Sequence, residues 1–265
     1  MGKISDALQK AAKERIERLE KVVKIQEQKP VVISKATSVM KDSNVDARLV
    51  SYFDPKSIIS EQYKILTTNI LSLNKGKPPR TIAITSSIHN EGKSVTSLNL
   101  AITLSQAIHK PRILLIDADM RKGRMLKYLG VAPHKGLSEY LSGQSTLEEV
   151  IFNIDIDHLS FISCGAVPTH PAELLASARM KDLLIKLRTQ FEFILIDTPP
   201  VIPVTDAVII GSQVDGTLMV IKAGETQRGM VRRAIELLNQ AHSNILGNVL
   251  TGIEYFVPEY IYKYL

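Results

Sequence analysis

Tryptophan is absent, aromatic residues make up only 5% of the chain, and Cys164 is the one cysteine in 265 residues. A single thiol excludes an internal disulfide, so packing rather than cross-linking must stabilise the fold. No apolar run approaches the ~18 residues of a membrane helix, and no secretory signal opens the chain. The expectation is a cytoplasmic protein without a membrane span of its own. Met1-Gly2 does not open a myristoylation signal, because Asp6 stands where that motif needs Ser or Thr. Dense Lys/Arg runs interleaved with stacking aromatics are also lacking, which argues against a nucleic-acid partner. What remains is 45% hydrophobic content dominated by aliphatic residues, enough for a large core in one α/β domain with an attachment.

Charge is unevenly distributed. Residues 1–80 hold 16 Lys/Arg against 9 Asp/Glu, and the remainder holds 17 against 18. The net charge of +6 therefore sits in the N-terminal part. Such a region suits an anionic membrane surface or an acidic partner, and interspersed charges on a solvated helix produce the same count.

Residues 82–101 carry the main chemical signal. A β-rich apolar run opens into a small polar loop ending Glu91-Gly92-Lys93-Ser94, followed by a helical pattern. Backbone N–H groups of such a loop and of the helix N-terminus bind phosphate oxygens. Lys93 reaches the β- and γ-phosphates, and the Ser94 hydroxyl holds Mg²⁺. The strict G-x-x-x-x-G-K-[ST] pattern is not met, since Ser87 occupies the first glycine position. Two further apolar runs end in acidic residues, RILLIDADMR at 112–121 and FEFILIDTPP at 191–200. In an open parallel sheet such runs are buried strands whose carboxyl ends gather ligands. Lys93, Ser94, Asp117, Asp119 and Asp197 then converge on one crevice, the groups that Mg·ATP chemistry needs.

Residues 2–28 read as one amphipathic helix, 30–55 as a linker, and 57–73 as a second helix. Strands are expected at 81–86, 112–117, 159–164, 192–197, 216–222 and 246–251, with helices near 93–108, 136–151, 171–189, 205–212 and 227–241. The fold class is α/β, a doubly wound, mostly parallel sheet. The division is 1–55, helix and linker; 56–254, the nucleotide-binding domain; 255–265, a tyrosine-rich tail.

EGKS at 91–94, the hydrophobic-DxDxR motif at 114–121 and hydrophobic-DTPP at 194–200 resemble the bacterial tyrosine kinases of exopolysaccharide synthesis, as do the stretches 164–184, 201–210 and 214–226. Those kinases descend from the MinD/ParA type of P-loop ATPase, so the resemblance implies that fold. The resemblance implies an autokinase using ATP and Mg²⁺. It assigns nucleotide binding to Asn90, Glu91, Gly92, Lys93, Ser94, Val95 and Thr251, with Thr251 standing where related ATPases often place an adenine-contacting Asn. It gives Mg²⁺ to Ser94, Asp119 and Asp197, and catalytic roles to Lys93, Asp117, Asp119 and Arg121, with Asp117 the candidate base. Four of the eight tyrosines, Tyr255, Tyr260, Tyr262 and Tyr264, lie in the last eleven residues, where the family keeps its phosphoacceptors. Phe256, Val257, Ile261 and Leu265 make this tail more apolar than a solvated acceptor segment.

The implied partners are further copies of the chain, a separate membrane activator of the polysaccharide co-polymerase type, and a cognate tyrosine phosphatase. Location is then peripheral, at the inner face of the plasma membrane. The opening GKISDALQKAAKE is similar to that of tyrosine autokinases from exosortase-linked loci. One family feature is altered: of the E-x-x-R-x-x-R subunit contact, Glu61 is kept, but Lys64 and Thr67 replace the arginines, and lysine cannot form an arginine fork. Two other readings stay open, a MinD/ParA-like ATPase switch and a weakly catalytic nucleotide-binding scaffold.

Overall fold

The computed structural model describes residues 37–38, 44–73 and 80–253. The expected helix over 2–28, the chain break at 75–79 and the tail with Tyr255, Tyr260, Tyr262 and Tyr264 lie outside the described residues. In chain order the elements are β1 (Thr37–Ser38), α1 (Val50–Phe53), α2 (Ile58–Ser72), β2 (Thr81–Ser86), α3 (Lys93–Ser105), β3 (Ile113–Asp117), α4 (Met125–Leu129), α5 (Leu137–Leu141) and α6 (Leu147–Val150). They continue with β4 (Ile151–Ile154), β5 (Leu159–Ile162), α7 (Pro171–Ala176), α8 (Ala178–Arg188), β6 (Phe193–Asp197), α9 (Asp206–Gly211), β7 (Gly216–Lys222), α10 (Arg228–Gln240) and β8 (Ile245–Thr251).

Among the described residues the strands form one eight-stranded sheet ordered β1-β4-β5-β3-β6-β2-β7-β8, in which only the β4–β5 pair is antiparallel. Every residue of β2, β3 and β6 is buried. A strand covered on both faces needs continuous apolar residues rather than alternation, which is why these three were legible as runs. From β2 the chain winds one way to β3 and later the other way to β7, so the crevice at the carboxyl ends of β2, β6 and β3 is the place for a ligand.

Four expectations need correction. The single helix expected over 136–151 is two short helices and a strand. Gly143, at φ +82°, turns the chain after α5, and Thr146 starts α6 with its N–H donating to Glu149 Oε2 at 2.9 Å. Ile151–Ile154 then pairs antiparallel with β5 and is a strand, not a helix end. The helix expected over 171–189 breaks at Ser177, which ends α7 and caps α8 by accepting from Met180 N at 3.2 Å. Helix α4 was not anticipated. Residues 44–53, within the stretch read as linker, are folded: Val45 and Leu49 are buried in the main core, and Ser51 N donates to Asn99 Oδ1 of α3 at 2.9 Å.

Candidate nucleotide and phosphoryl-transfer site

The loop from β2 to α3 is shaped by two left-handed residues, Asn90 at φ +66° and Gly92 at φ +89°. Asn tolerates that conformation and Gly has no penalty in it. Gly92 is the N-cap of α3, and no side chain caps the helix. The first-turn N–H groups, including those of Lys93, Ser94 and Val95, are therefore directed at the crevice with the positive end of the helix dipole behind them. This arrangement fits a nucleotide phosphate.

Glu91 and Thr251 hold the loop to the sheet. The Glu91 carboxylate is buried, 2% exposed, and turns into the protein. It accepts from Ile88 N at 2.7 Å, Thr226 Oγ1 at 2.5 Å and Lys222 N at 3.4 Å. Thr251 Oγ1 donates to the Glu91 carbonyl at 2.7 Å. These two residues brace the phosphate loop against the ends of β7 and β8.

Asp117 and Asp197 face each other as neighbours in register at the ends of β3 and β6. Asp119 follows, its N–H donating to Asp117 Oδ1 at 3.1 Å. Lys93 Nζ lies 3.2 Å from Asp119 Oδ2 and 3.5 Å from Asp197 Oδ2. Ser94 Oγ donates to Asp197 Oδ2 at 2.5 Å, and Ser97 Oγ donates to Oδ1 at 3.0 Å. Burial, and then the negative charge of Asp197, push the Asp117 carboxyl up to about 8. Asp197 is also raised by burial, against the opposing pull of Lys93 and the two serine hydroxyls. Burial alone would lower Lys93, but Asp197 and Asp119 outweigh it and hold the ammonium above its ordinary value.

Ser94, Asp119 and Asp197 offer only hard oxygen donors, the set that suits Mg²⁺. Among the described residues no three His, Cys, Asp or Glu side chains form a closed metal cage. An ion held by one or two carboxylates, with phosphate oxygens completing its shell, needs none.

Arg121 is committed elsewhere. Its guanidinium forms a fork with Asp206, 2.9 Å from Oδ2 and 3.0 Å from Oδ1, and Asp206 is wholly buried at the start of α9. It ties the second motif to the helix after the third. Cys164 lies beside the cluster: a Cβ on Gly123 would collide with its sulfur and sit 2.9 Å from Asp117 Oδ2. Burial and then Asp117 push the thiol up to about 12, which disfavours the thiolate form. Glu61 and Lys64 form an exposed salt bridge at 2.6 Å, while Thr67, one turn further along α2, is buried.

Sequence reasoning missed Ser97, Asp206 and Thr226. Ser97 lies three residues after Ser94 on a helix, so the same-face spacing could have found it. Asp206 and Thr226 are reached only across the fold.

The model of the AAA domain family matches residues 79–245. The chain is 34% identical over 210 residues to tyrosine-protein kinase YwqD of Bacillus subtilis, covering 79% of this chain and 88% of that one. It is 38% identical over 201 residues to tyrosine-protein kinase CpsD of Streptococcus agalactiae, covering 76% and 86%. Among solved structures, the kinase domain of Escherichia coli tyrosine kinase ETK superposes with a TM-score of 0.75 at 28% identity, covering 84% of this chain and 91% of that one. A deviant phosphate loop, a lysine held between strand-end aspartates and these relatives agree: the chain belongs to the bacterial tyrosine kinases, on the MinD/ParA-like P-loop fold.

Proposed function

We propose that this kinase transfers the γ-phosphoryl group of Mg·ATP to tyrosines of its own C-terminal cluster, in a neighbouring subunit, and that this cycle regulates exopolysaccharide polymerisation or export. The observation that carries the reading is the meeting of Lys93, Ser94, Asp117, Asp119 and Asp197 at three adjacent strand ends. Phosphoryl transfer depends mostly on positioning and charge neutralisation, and this cluster supplies both.

Lys93 exchanges its contacts with Asp119 and Asp197 for the β,γ-phosphates. Ser94, Asp197 and Asp119 would hold Mg²⁺, which would supply positive charge beside the transferring group and favour the ionised form of Asp117. The acceptor tyrosine oxygen forms the new bond to γ-phosphorus as the bond to the β,γ-bridging oxygen breaks. The phenolic proton passes to Asp117 Oδ, and ADP leaves. Without a cation beyond Lys93, burial and Asp197 push the Asp117 carboxyl up to about 8, and the positive charge of bound Mg²⁺ would return it to the ionised form that a base needs. Glu91 and Thr251 keep the loop in place, Asn90 gives it its turn, and Arg121 positions the second motif through Asp206.

The partners proposed are a second copy of the chain through the face bearing Glu61 and Lys64, a separate membrane activator, and a tyrosine phosphatase. The basic N-terminal region supports a peripheral position at the inner membrane face. The rival reading, an ATPase switch of the MinD/ParA type, wants a second lysine early in the phosphate loop, where this chain has Ser86, Ser87 and Ile88. A phosphosite map after incubation with Mg·ATP tests the proposal. Phosphate is expected on Tyr260, Tyr262 or Tyr264. ATP turnover with an unmodified tail would leave the switch reading in its place.

A further inference from the structure

Asp117, Asp119 and Asp197 make the floor of the site negative, with Lys93 the cation among them. An acceptor segment that itself carries carboxylates is repelled there unless positive charge meets it at the rim. The turn after the second motif supplies that charge. Lys122 N donates to Asp119 Oδ1 at 3.0 Å and Met125 N to Asp117 Oδ2 at 3.4 Å, so residues 122–125 are fastened to both carboxylates. Gly123 packs so closely that a Cβ there would stand 2.9 Å from Asp117 Oδ2. Lys122 and Arg124, on either side of it, have exposed side chains with no hydrogen bond or ion pair among the described residues. Arg121, just before them, is by contrast committed to Asp206.

His89, exposed on the phosphate loop, connects the two segments. Burial, and then the charges of Lys122, Lys93 and Arg124, hold its imidazole below the ordinary value against the opposing pull of Asp119. The loop and the turn therefore border one opening, with Lys122 and Arg124 as its uncommitted cations. Exposed basic residues are ordinary on a protein surface. These two differ because their own backbone turn is bonded to the carboxylates of the site.

We propose that Lys122 and Arg124 are specificity-determining residues for the acceptor, selecting a tyrosine that directly follows an acidic side chain. The assignment rests on the phosphotransfer reading above and narrows its substrate class. Lys93 and the α3 N-terminus already serve the nucleotide phosphates, which leaves the rim cations for the other substrate. The order of charges in the chain fits such a rule: Glu254 precedes Tyr255 and Glu259 precedes Tyr260, whereas Tyr262 and Tyr264 flank Lys263. Tyr260 is then modified ahead of Tyr262 and Tyr264. Exposed ion pairs are individually weak, so the preference is modest in size and screened by salt.

The test uses an isotope-labelled full-length Lys93→Met chain as acceptor, with Glu259 kept or changed to Gln, and an unlabelled full-length donor with Mg·ATP. Mass spectrometry of the labelled tail gives the initial rate at each tyrosine. The wild-type donor is expected to modify Tyr260 about threefold faster beside Glu259 than beside Gln, with the advantage shrinking as salt is added. In a donor carrying Lys122→Gln and Arg124→Gln the ratio should fall to about one, and an Arg124→Glu donor should favour a Glu259→Lys acceptor. Because each readout is a ratio within one donor, a general loss of activity does not imitate it. Equal rates on the two acceptors with the wild-type donor, or an unchanged ratio in the double variant, would overturn the proposal while leaving the autokinase reading intact. A double variant that raises the KM for Mg·ATP and keeps the ratio would also overturn it, by assigning these cations to the nucleotide. Tails left unmodified on donor and acceptor alike would remove the autokinase reading itself, and this proposal with it.

Discussion

Replacing Lys93 with methionine keeps the length of the side chain and removes the one cation among three carboxylates. At 3.2 and 3.5 Å from Asp119 and Asp197, each attraction is about 5 kcal/mol at an effective dielectric constant of about 20. The cost of burying the ammonium offsets several kcal/mol of this, and carboxylates left without a cation can take up protons instead. The net loss of stability therefore depends on pH. A carboxyl whose folded pKa is raised contributes stability that is present below its unfolded pKa and lost as pH rises through the folded value. Lys93 opposes the upward shifts of Asp117 and Asp197, so both rise further in the variant. Asp117, at about 8 in the wild type, then stays protonated where the wild type has released its proton.

Each unit of added shift costs ~1.4 kcal/mol at high pH. Urea unfolding without nucleotide is expected to show a difference below ~1 kcal/mol at pH 5 and of about 3 kcal/mol at pH 9, with the folded state retained at both. Tail phosphorylation is expected to fall by a factor on the order of 10² or more, as for loss of a group that stabilises transition-state charge. A stability cost equal at pH 5 and pH 9 would refute the electrostatic account. Unchanged phosphorylation would show that this loop is not the catalytic site.

Glu91→Ala removes the brace between the phosphate loop and β7 and is expected to weaken Mg·ATP binding by about tenfold or more, consistent with the ~1.5–3 kcal/mol of a charged hydrogen bond; titration with a fluorescent ATP analogue measures it, and Glu91→Gln should recover part of the loss. Arg121→Ala strands the buried Asp206 carboxylate and is expected to destabilise by about 2–3 kcal/mol. Adding Asp206→Asn should restore most of that in denaturant unfolding, and no recovery would mean the fork is not the cause. Phosphorylation adds roughly −1.5 to −2 charge per tyrosine. If the tail meets the Asp117, Asp119 and Asp197 cluster of a neighbour, light scattering should find unmodified protein self-associating in Mg·ADP and the phosphorylated form shifted toward monomer. Equal masses would remove the assembly switch.

The sequence by itself determined the sheet's centre and the residues of the candidate site. Strands β2, β3 and β6 are apolar throughout because they are buried on both faces, so their ends, and with them Lys93, Ser94, Asp117, Asp119 and Asp197, could be located without coordinates. Local chemistry was less legible where short elements are fixed by their neighbours: Ile151–Ile154 is a strand only because β5 offers it an antiparallel partner. Tertiary structure alone decided which way side chains turn. Glu91 faces Thr226 across 135 residues of chain, and Arg121 faces Asp206 across 85. No spacing along a sequence encodes such pairs, since they depend on how strand ends are ordered in the sheet. The same order leaves β8 at an open edge, buries the end of β3 and makes neighbours of Asp117 and Asp197; burial first, and then the charge of Asp197, push the Asp117 carboxyl up.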